Sequence, residues 1–324
     1  MQTFWGSNKK LYLAFAKVIQ VGRKGNQTMS NVYDFVTERF IEQLQKGTIP
    51  WKQPWSGLAA ANLVSKKEYR GVNVFMLWGK PYKSPYWVTY KQARNLGGNV
   101  KAGEKATMVV FWKMLKKDEV LANGEKREKK IPLLRYYNVF NIEQCEGIPA
   151  EKIPATDQRK HEPIKEAEAV VNGYENPPSI GHGGNEAYYN RFDDHVQVPP
   201  PENFKTGEGY YSTLFHELGH STRHENRLNR EGKEKGKESG AMEELVAEMT
   251  AAFLAAHCGF AEMEQPENHV AYIASWLKNL QNDPKMVVFA ASKAQKAADY
   301  ILGKIAKEAP KEDAEEKEVA EAVA

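Results

Sequence analysis

Three residues of the segment HELGH, namely His216, Glu217 and His220, have the types and spacing to hold a metal ion and to work beside it. On an α-helix, positions four apart lie on one face about 6 Å apart along the axis, so imidazoles at 216 and 220 converge on one ion. Glu217 stands one position off that stripe, where a carboxylate reaches water at the ion and takes its proton. Zinc held in this way lowers the pKa of water to about 7 and polarises a carbonyl, and peptide hydrolysis is the chemistry to expect.

Zinc needs a third protein ligand. An otherwise apolar pattern after the motif carries Glu243, Glu244 and Glu248 among Leu245, Val246, Ala247 and Phe253. Carboxylates in such a stripe are costly to bury unless paired or metal-bound. Spacing leaves the choice among the three open. We assign Glu244 as the ligand, Glu248 as the acceptor for the N–H of a ligating imidazole one turn on, and Glu243 as the exposed member. His224 lies about 12 Å along the axis from His216, too far to share the ion. Arg223 and Asn226 occupy the places where an HExxHxxGxxH pattern requires Gly and His. Two histidines on one helix and a glutamate from a later one resemble the gluzincin type of zincin. In that group a polar edge strand before the metal helix lines the substrate cleft, a place that residues 193–198 fill here. His195 within it reads as a surface histidine, and Tyr210 and Tyr211 as core.

These side chains need helices to position them. The segments GYYSTLFHELGHSTRH, SGAMEELVAEMTAAFLAAHCG, ENHVAYIASWLKNL and DPKMVVFAASKAQKAADYIL all read as helical, and AYYNRFDDHVQVP alternates like a strand. Earlier, VYDFVTERFIEQLQKG is one amphipathic helix ending at Gly47, and short helices end at Gly79 and Gly97. TMVVFWKML and LLRYYNVFNI read as long antiparallel strands, with a turn signal at Asn123-Gly124 between them. The fold class expected is α+β: an α+β domain over 29–149, a connector over 150–185 and a mainly helical domain over 186–303. Residues 1–28 read as an extension upstream of a natural start at Met29, and 304–324 as a disordered charged tail.

The net charge of +3 over 324 residues conceals an asymmetry. Residues 30–150 hold 20 Lys and Arg against 11 Asp and Glu, whereas 151–324 hold 20 against 31. A basic module joined to an acidic one points to a polyanionic partner for the first half. Five of the seven tryptophans fall in that half, interleaved with cations as in Trp51-Lys52, Tyr90-Lys91 and Arg135-Tyr136-Tyr137. Rings on which bases stack, beside cations that follow phosphates, suit single-stranded nucleic acid; core packing of the same rings is the competing assignment. The residues selected for DNA contact are Trp51, Lys52, Trp55, Arg70, Lys91, Lys105 and Arg135. No window reaches the roughly 18 apolar residues of a membrane span. Two distant cysteines, Cys145 and Cys258, fit neither a disulfide framework nor a cysteine zinc site, which favours a reducing cytoplasm.

The segments GTIPWKQPW, YRGVNVFMLW, KQARNLGGNVKAGEKATMVVFWK and RYYNVFNIEQCEGIP, in that order, resemble the N-terminal domain of the ArdC family of antirestriction proteins. YYSTLFHELGHSTRHENRLNR, MEELVAEMTAAFLAAHCGF and YIASWLKNLQNDPKMVVFAASKAQKAADYIL resemble that family's C-terminal zincin domain. The resemblance implies single-stranded-DNA binding by the first domain and a metallopeptidase-like second domain. It places Zn2+ on His216, His220 and Glu244, with Glu217 as general base. It also implies protection of incoming mobile-element DNA from host restriction enzymes, with a protein substrate or the restriction enzyme itself as a further partner. Two functions compete: a DNA-tethered zinc peptidase, and a non-proteolytic protein that coats single-stranded DNA and carries a structural or vestigial zinc site.

Overall fold

The computed structural model describes residues 32–51, 59–78, 80, 82–120, 126–154, 163–230, 237–260 and 269–304. Lys52 and Trp55, the Asn123-Gly124 turn, and the terminal stretches 1–28 and 305–324 lie outside those residues. The chain forms two compact units, one from residues 58–157 and one that combines the segment up to Gly57 with residues 158–309.

The 58–157 unit is built on a four-stranded sheet. It contains β1 (Ala61–Asn62), α2 (Val72–Leu77), β2 (Tyr86–Thr89), α3 (Tyr90–Asn95), β3 (Asn99–Val100), β4 (Thr107–Val120), β5 (Lys126–Asn141) and β6 (Cys145–Glu146). The sheet order is β1-β2-β5-β4, with β1 parallel to β2 and the other neighbours antiparallel. Thr107 pairs with Val139 and Val120 with Lys126, so the charged segment expected to separate the two strands is itself part of the ladder. Alternation along the strands feeds two clusters. Leu63, Val88, Ala93 and Cys145 gather with Phe140 on one face, and Leu77, Trp87, Val109 and Val139 with Tyr137 on the other. Asn73 of α2 bonds both the N–H and the carbonyl of Val110, at 2.7 Å each, and so occupies backbone groups on the outer side of β4. α3 starts on a capping box: Gln92 N–H donates to Thr89 Oγ1 and Thr89 N–H to Gln92 Oε1. It ends before Gly97, whose φ of +93° suits a residue without Cβ.

The second unit begins with α1 (Val32–Gln45) and continues with α4 (Pro163–Asn172), β7 (Ser179–His182), β8 (Tyr188–Asn190), β9 (His195–Val198), α5 (Gly207–Ser221), α6 (Lys237–His257), α7 (His269–Asn282) and α8 (Met286–Ile301). α1 was expected in the basic domain but belongs to this unit. Phe40 and Leu44 are fully buried, Trp51 after the helix packs edge-on to Trp276 of α7, and Thr37 donates to the Pro284 carbonyl at 2.6 Å. Within the 150–185 stretch the helical pattern of PIKEAEAVVNGY is α4, which packs on α5, and β7 pairs in register with β9. The segment expected as one strand is a hairpin, β8 and β9, whose turn at 191–194 includes Asp194 at a φ of +45°. In the sheet order β7-β9-β8, the strand holding His195 is central, with β7 and β8 on either side. Its backbone is therefore not an edge at which a peptide can pair.

Candidate metal centre

α5 forms where Thr206 caps Gly209 N–H at 3.1 Å and Tyr210, Leu214, Phe215 and Leu218 supply a buried stripe. The face opposite that core carries His216 and His220. α6 packs along it and is nearly all apolar inside, with Leu245, Val246, Ala247, Met249 and Leu254 at 0% exposure. Glu243 and Glu244 sit on its first turns, at the edge of that core.

Three side chains converge. His216 Nε2 lies 3.2 Å from His220 Nε2 and 3.1 Å from Glu244 Oε1, and His220 Nε2 lies 3.6 Å from Glu244 Oε2. A tetrahedral ion with ligands at about 2.0–2.1 Å sets its donor atoms roughly 3.3 Å apart, so the spacing is that of a coordination sphere. Two Nε2 lone pairs aimed at each other repel unless a cation or a proton lies between them. The donor set, two imidazoles and a carboxylate, fits a divalent transition metal. The histidine side chains are largely buried, whereas that of Glu244 is 48% exposed, which leaves one side open.

Burial pushes both imidazoles down, but Glu243 and Glu244 outweigh it at His220 and lift its pKa to about 9, and Glu244 and Glu248 outweigh it at His216, which is also raised. Hydrogen bonds to both imidazoles hold Glu244 well below the usual carboxylate range. Glu217, 7% exposed, is pushed up by burial against the opposing pull of the two histidines. A carboxyl beside the converging ligands is placed to accept and return a proton.

The expected ligands thus come together: His216, His220 and Glu244, with Glu217 beside them. Glu243 departs from its expected place, whereas Glu248 is buried. Glu243 Oε1, not Glu248, lies 3.3 Å from His220 Nδ1, and Glu243 is mostly buried rather than exposed. Glu248 accepts the Tyr272 hydroxyl at 2.7 Å. Glu244 and Glu248, one turn apart, share a face of α6, and Glu248 stands near enough to His216 to raise its pKa. A counter-charge for Glu243 was the signal missed, since the segment after the motif supplies Arg223, Arg227 and Arg230. Tyr210 is buried as expected, and its hydroxyl pairs with His182 Nε2 at 2.8 Å. A depression of about 540 Å³ lined by His182, Gly183, Asn185, Tyr188 and Gln197 includes none of the converging ligands.

The selected DNA contacts fare differently. Trp51 is 1% exposed, stacked on Phe40 and edge-on to Trp276, so it cannot meet a base; its aromatic area serves a core. Arg70, Lys91, Lys105 and Arg135 are exposed on the 58–157 unit. On the same unit Tyr90 and Tyr136 are 55% and 56% exposed, and neither was selected from the sequence.

An HExxH helix whose histidines meet a carboxylate from the following long helix defines a zincin-like metallopeptidase domain, and the family model of that description matches residues 165–293. A second family model, the N-terminal domain of anti-restriction factor ArdC, matches residues 30–140. Crystal structures of the antirestriction ArdC protein from the R388 plasmid are 35% identical with a TM-score of 0.67. The metal-free form covers 85% of this chain and 97% of that one; the Mn(II)-bound form covers 86% and 99%. Protein y4eC of Sinorhizobium fredii is 33% identical over 293 residues, 85% of this chain and 92% of its own length. The DNA primase TraC of Escherichia coli is 34% identical over 291 residues, which are 83% of this chain but only 27% of the primase. The chain belongs to the ArdC family of antirestriction proteins. Among the described residues no helix is long and apolar enough to cross a membrane.

Proposed function

We propose that this protein binds single-stranded DNA through its 58–157 unit and carries a zinc peptidase centre in the other, and that the two together protect mobile-element DNA entering a host. The observation that carries the peptidase reading is the convergence of His216, His220 and Glu244 with a buried Glu217 at the next helical position. Zinc on those three ligands would supply Lewis acidity, polarising a scissile carbonyl and acidifying water. Glu217 takes the proton of the attacking water and delivers it to the amine nitrogen as the peptide C–N bond breaks. His216 and His220, one turn apart, would hold the ion beside that carboxylate. The substrate class is a protein, with the host restriction enzyme as the candidate that matches antirestriction.

DNA binding is supported by the excess of cations over 30–150 and by the placement of exposed rings. Thr89 pairs with Val139, so α3, with Tyr90 and Lys91 at its start and Arg94 in its last turn, follows the strand that neighbours β5, which carries Arg135 and Tyr136. Rings flanked by cations suit stacked bases with their phosphates.

Purified protein is tested for cleavage of candidate restriction enzymes and of itself, with and without single-stranded DNA, against Glu217→Gln. Cleavage by the parent chain and none by the variant, with metal content equal in both, is the expected result. Absence of cleavage in every arm, together with antirestriction by Glu217→Gln, establishes instead a coating protein with a structural metal.

A further inference from the structure

We infer that Arg230 is a positioning residue of the metal centre, acting through Glu243 to fix the proton on His220 Nδ1 and so to aim Nε2 at the ion. The inference rests on the metal-site reading above. For His220 to offer the Nε2 lone pair to the position shared with His216 and Glu244, its proton must sit on Nδ1, which then needs an acceptor. Glu243 Oε1 provides it at 3.3 Å.

A mostly buried carboxylate does not hold such a place without compensation. Arg230 supplies it: Nη1 donates to Glu243 Oε2 at 2.7 Å and Nη2 to Oε1 at 2.9 Å, a two-pronged grip, with the Arg230 side chain only 8% exposed. Its other donors go back to α5. Nη2 donates to the Gly219 carbonyl at 2.9 Å, and both Nη2 and Nε reach Thr222 Oγ1, at 2.9 and 3.1 Å. Gly219 and Thr222 bracket His220 in the chain. One guanidinium therefore ties the turn bearing one ligand to the residue preceding another, Glu244. A lysine offers a point charge and cannot bond all four acceptors in one plane.

The pair could instead merely hold two helices together, and the experiment separates these roles. In the double variant Arg230→Met/Glu243→Met, a buried ion pair is replaced by apolar side chains of similar length, a change that folded proteins commonly tolerate. Zinc affinity of the full chain is measured by chelator competition, melting of the metal-free protein by calorimetry, and the His220 tautomer by imidazole 15N shifts. The double variant is expected to melt near the parent, to bind zinc about 10–100-fold more weakly and to lose its Nδ1–H tautomer preference. Glu243→Gln, which keeps an acceptor oxygen, is expected to restore part of that affinity and the tautomer. Parent-like affinity and tautomer in the double variant overturn the inference. If the double variant does not fold, Arg230→Lys decides: roughly 10-fold weaker zinc binding supports the role, and unchanged binding overturns it. A parent protein that binds no zinc defeats the metal-site reading itself, an outcome distinct from either.

Discussion

Gly219 lies so close to Ala247 that a Cβ on it would stand 3.2 Å from the Ala247 Cα and 3.4 Å from its carbonyl oxygen, with Thr250 Cβ also at 3.2 Å. The neighbours are backbone and a fully buried side chain, so none can swing aside. This contact sets the distance between the helix carrying the two histidines and the helix carrying Glu244. Gly219→Ala gains about 1 kcal/mol of helix propensity and loses about 1–3 kcal/mol to overpacking. The net loss of stability is therefore small, roughly 1 kcal/mol, while the ligands are driven apart. Denaturant unfolding should show the small loss and metal titration a larger one; unchanged metal affinity would contradict the claim that this approach sets the site.

Glu244 tests the ligand set. A metal bound only by the native state stabilises it by about 4 kcal/mol at a free concentration of 1,000 Kd. Thermal melts with zinc, with manganese and with a chelator should show that gain in the parent protein and lose most of it in Glu244→Gln and His220→Ala. Glu248→Gln should keep it, because Glu248 bonds Tyr272 and stands outside the converging triplet. A full metal-induced shift in Glu244→Gln removes Glu244 from the ligand set.

Asp194 governs the acid limb of stability. Arg227, whose side chain has 0% exposure, grips both its oxygens at 2.7 Å, and the Tyr189 hydroxyl donates to it at 2.8 Å. Burial pushes the Asp194 carboxyl up, but these bonds outweigh it and hold its pKa below the ordinary value of 3.8. The unfolded chain therefore takes up this proton at a higher pH than the native protein does. The contribution is complete above the unfolded pKa and is lost as pH falls through the depressed one. Asp194→Asn should cost about 2 kcal/mol at pH 7 and flatten the decline below pH 4. Parallel pH–stability curves for the two proteins would refute the assignment.

Trp51 and Tyr136 set a buried aromatic against an exposed one. Trp51→Ala should destabilise by about 3–5 kcal/mol and leave DNA affinity unchanged under conditions where the variant is folded. Tyr136→Ala and Tyr90→Ala should leave melting nearly unchanged and each cost about 1–3 kcal/mol of single-stranded-DNA binding. Fluorescence anisotropy with a labelled oligonucleotide, repeated across salt concentrations, makes the comparison. Losing Lys91 or Arg94 should flatten the salt dependence by about 0.7 per phosphate contact. Tryptophan and tyrosine variants with equal effects on binding would show that exposure does not identify the DNA face.

The sequence by itself determined whatever depends on local period and local chemistry. Histidines four apart on a helix face one ion wherever that helix lies, and the amphipathic runs placed α1 and α5 to α8 to within a few residues, whereas the alternating runs located β4 and β5 but stopped short of the charged residues by which both strands extend. It also determined the charge asymmetry, which needs no fold. Tertiary structure decided the choices among equivalents. Three glutamates on one apolar helix differ only by rotation and rise relative to α5, and so packing decided that Glu243 meets His220 while Glu248 meets Tyr272. Tryptophan is equally apt for a core and for a base stack; only the docking of α1 onto α7 and α8 buried Trp51, while Tyr136 of β5 stays 56% exposed. The HELGH motif set the two imidazoles one turn apart, and the long-range contacts of Arg230 and Gly219 tie the helix bearing them to the one that carries Glu243 and Glu244.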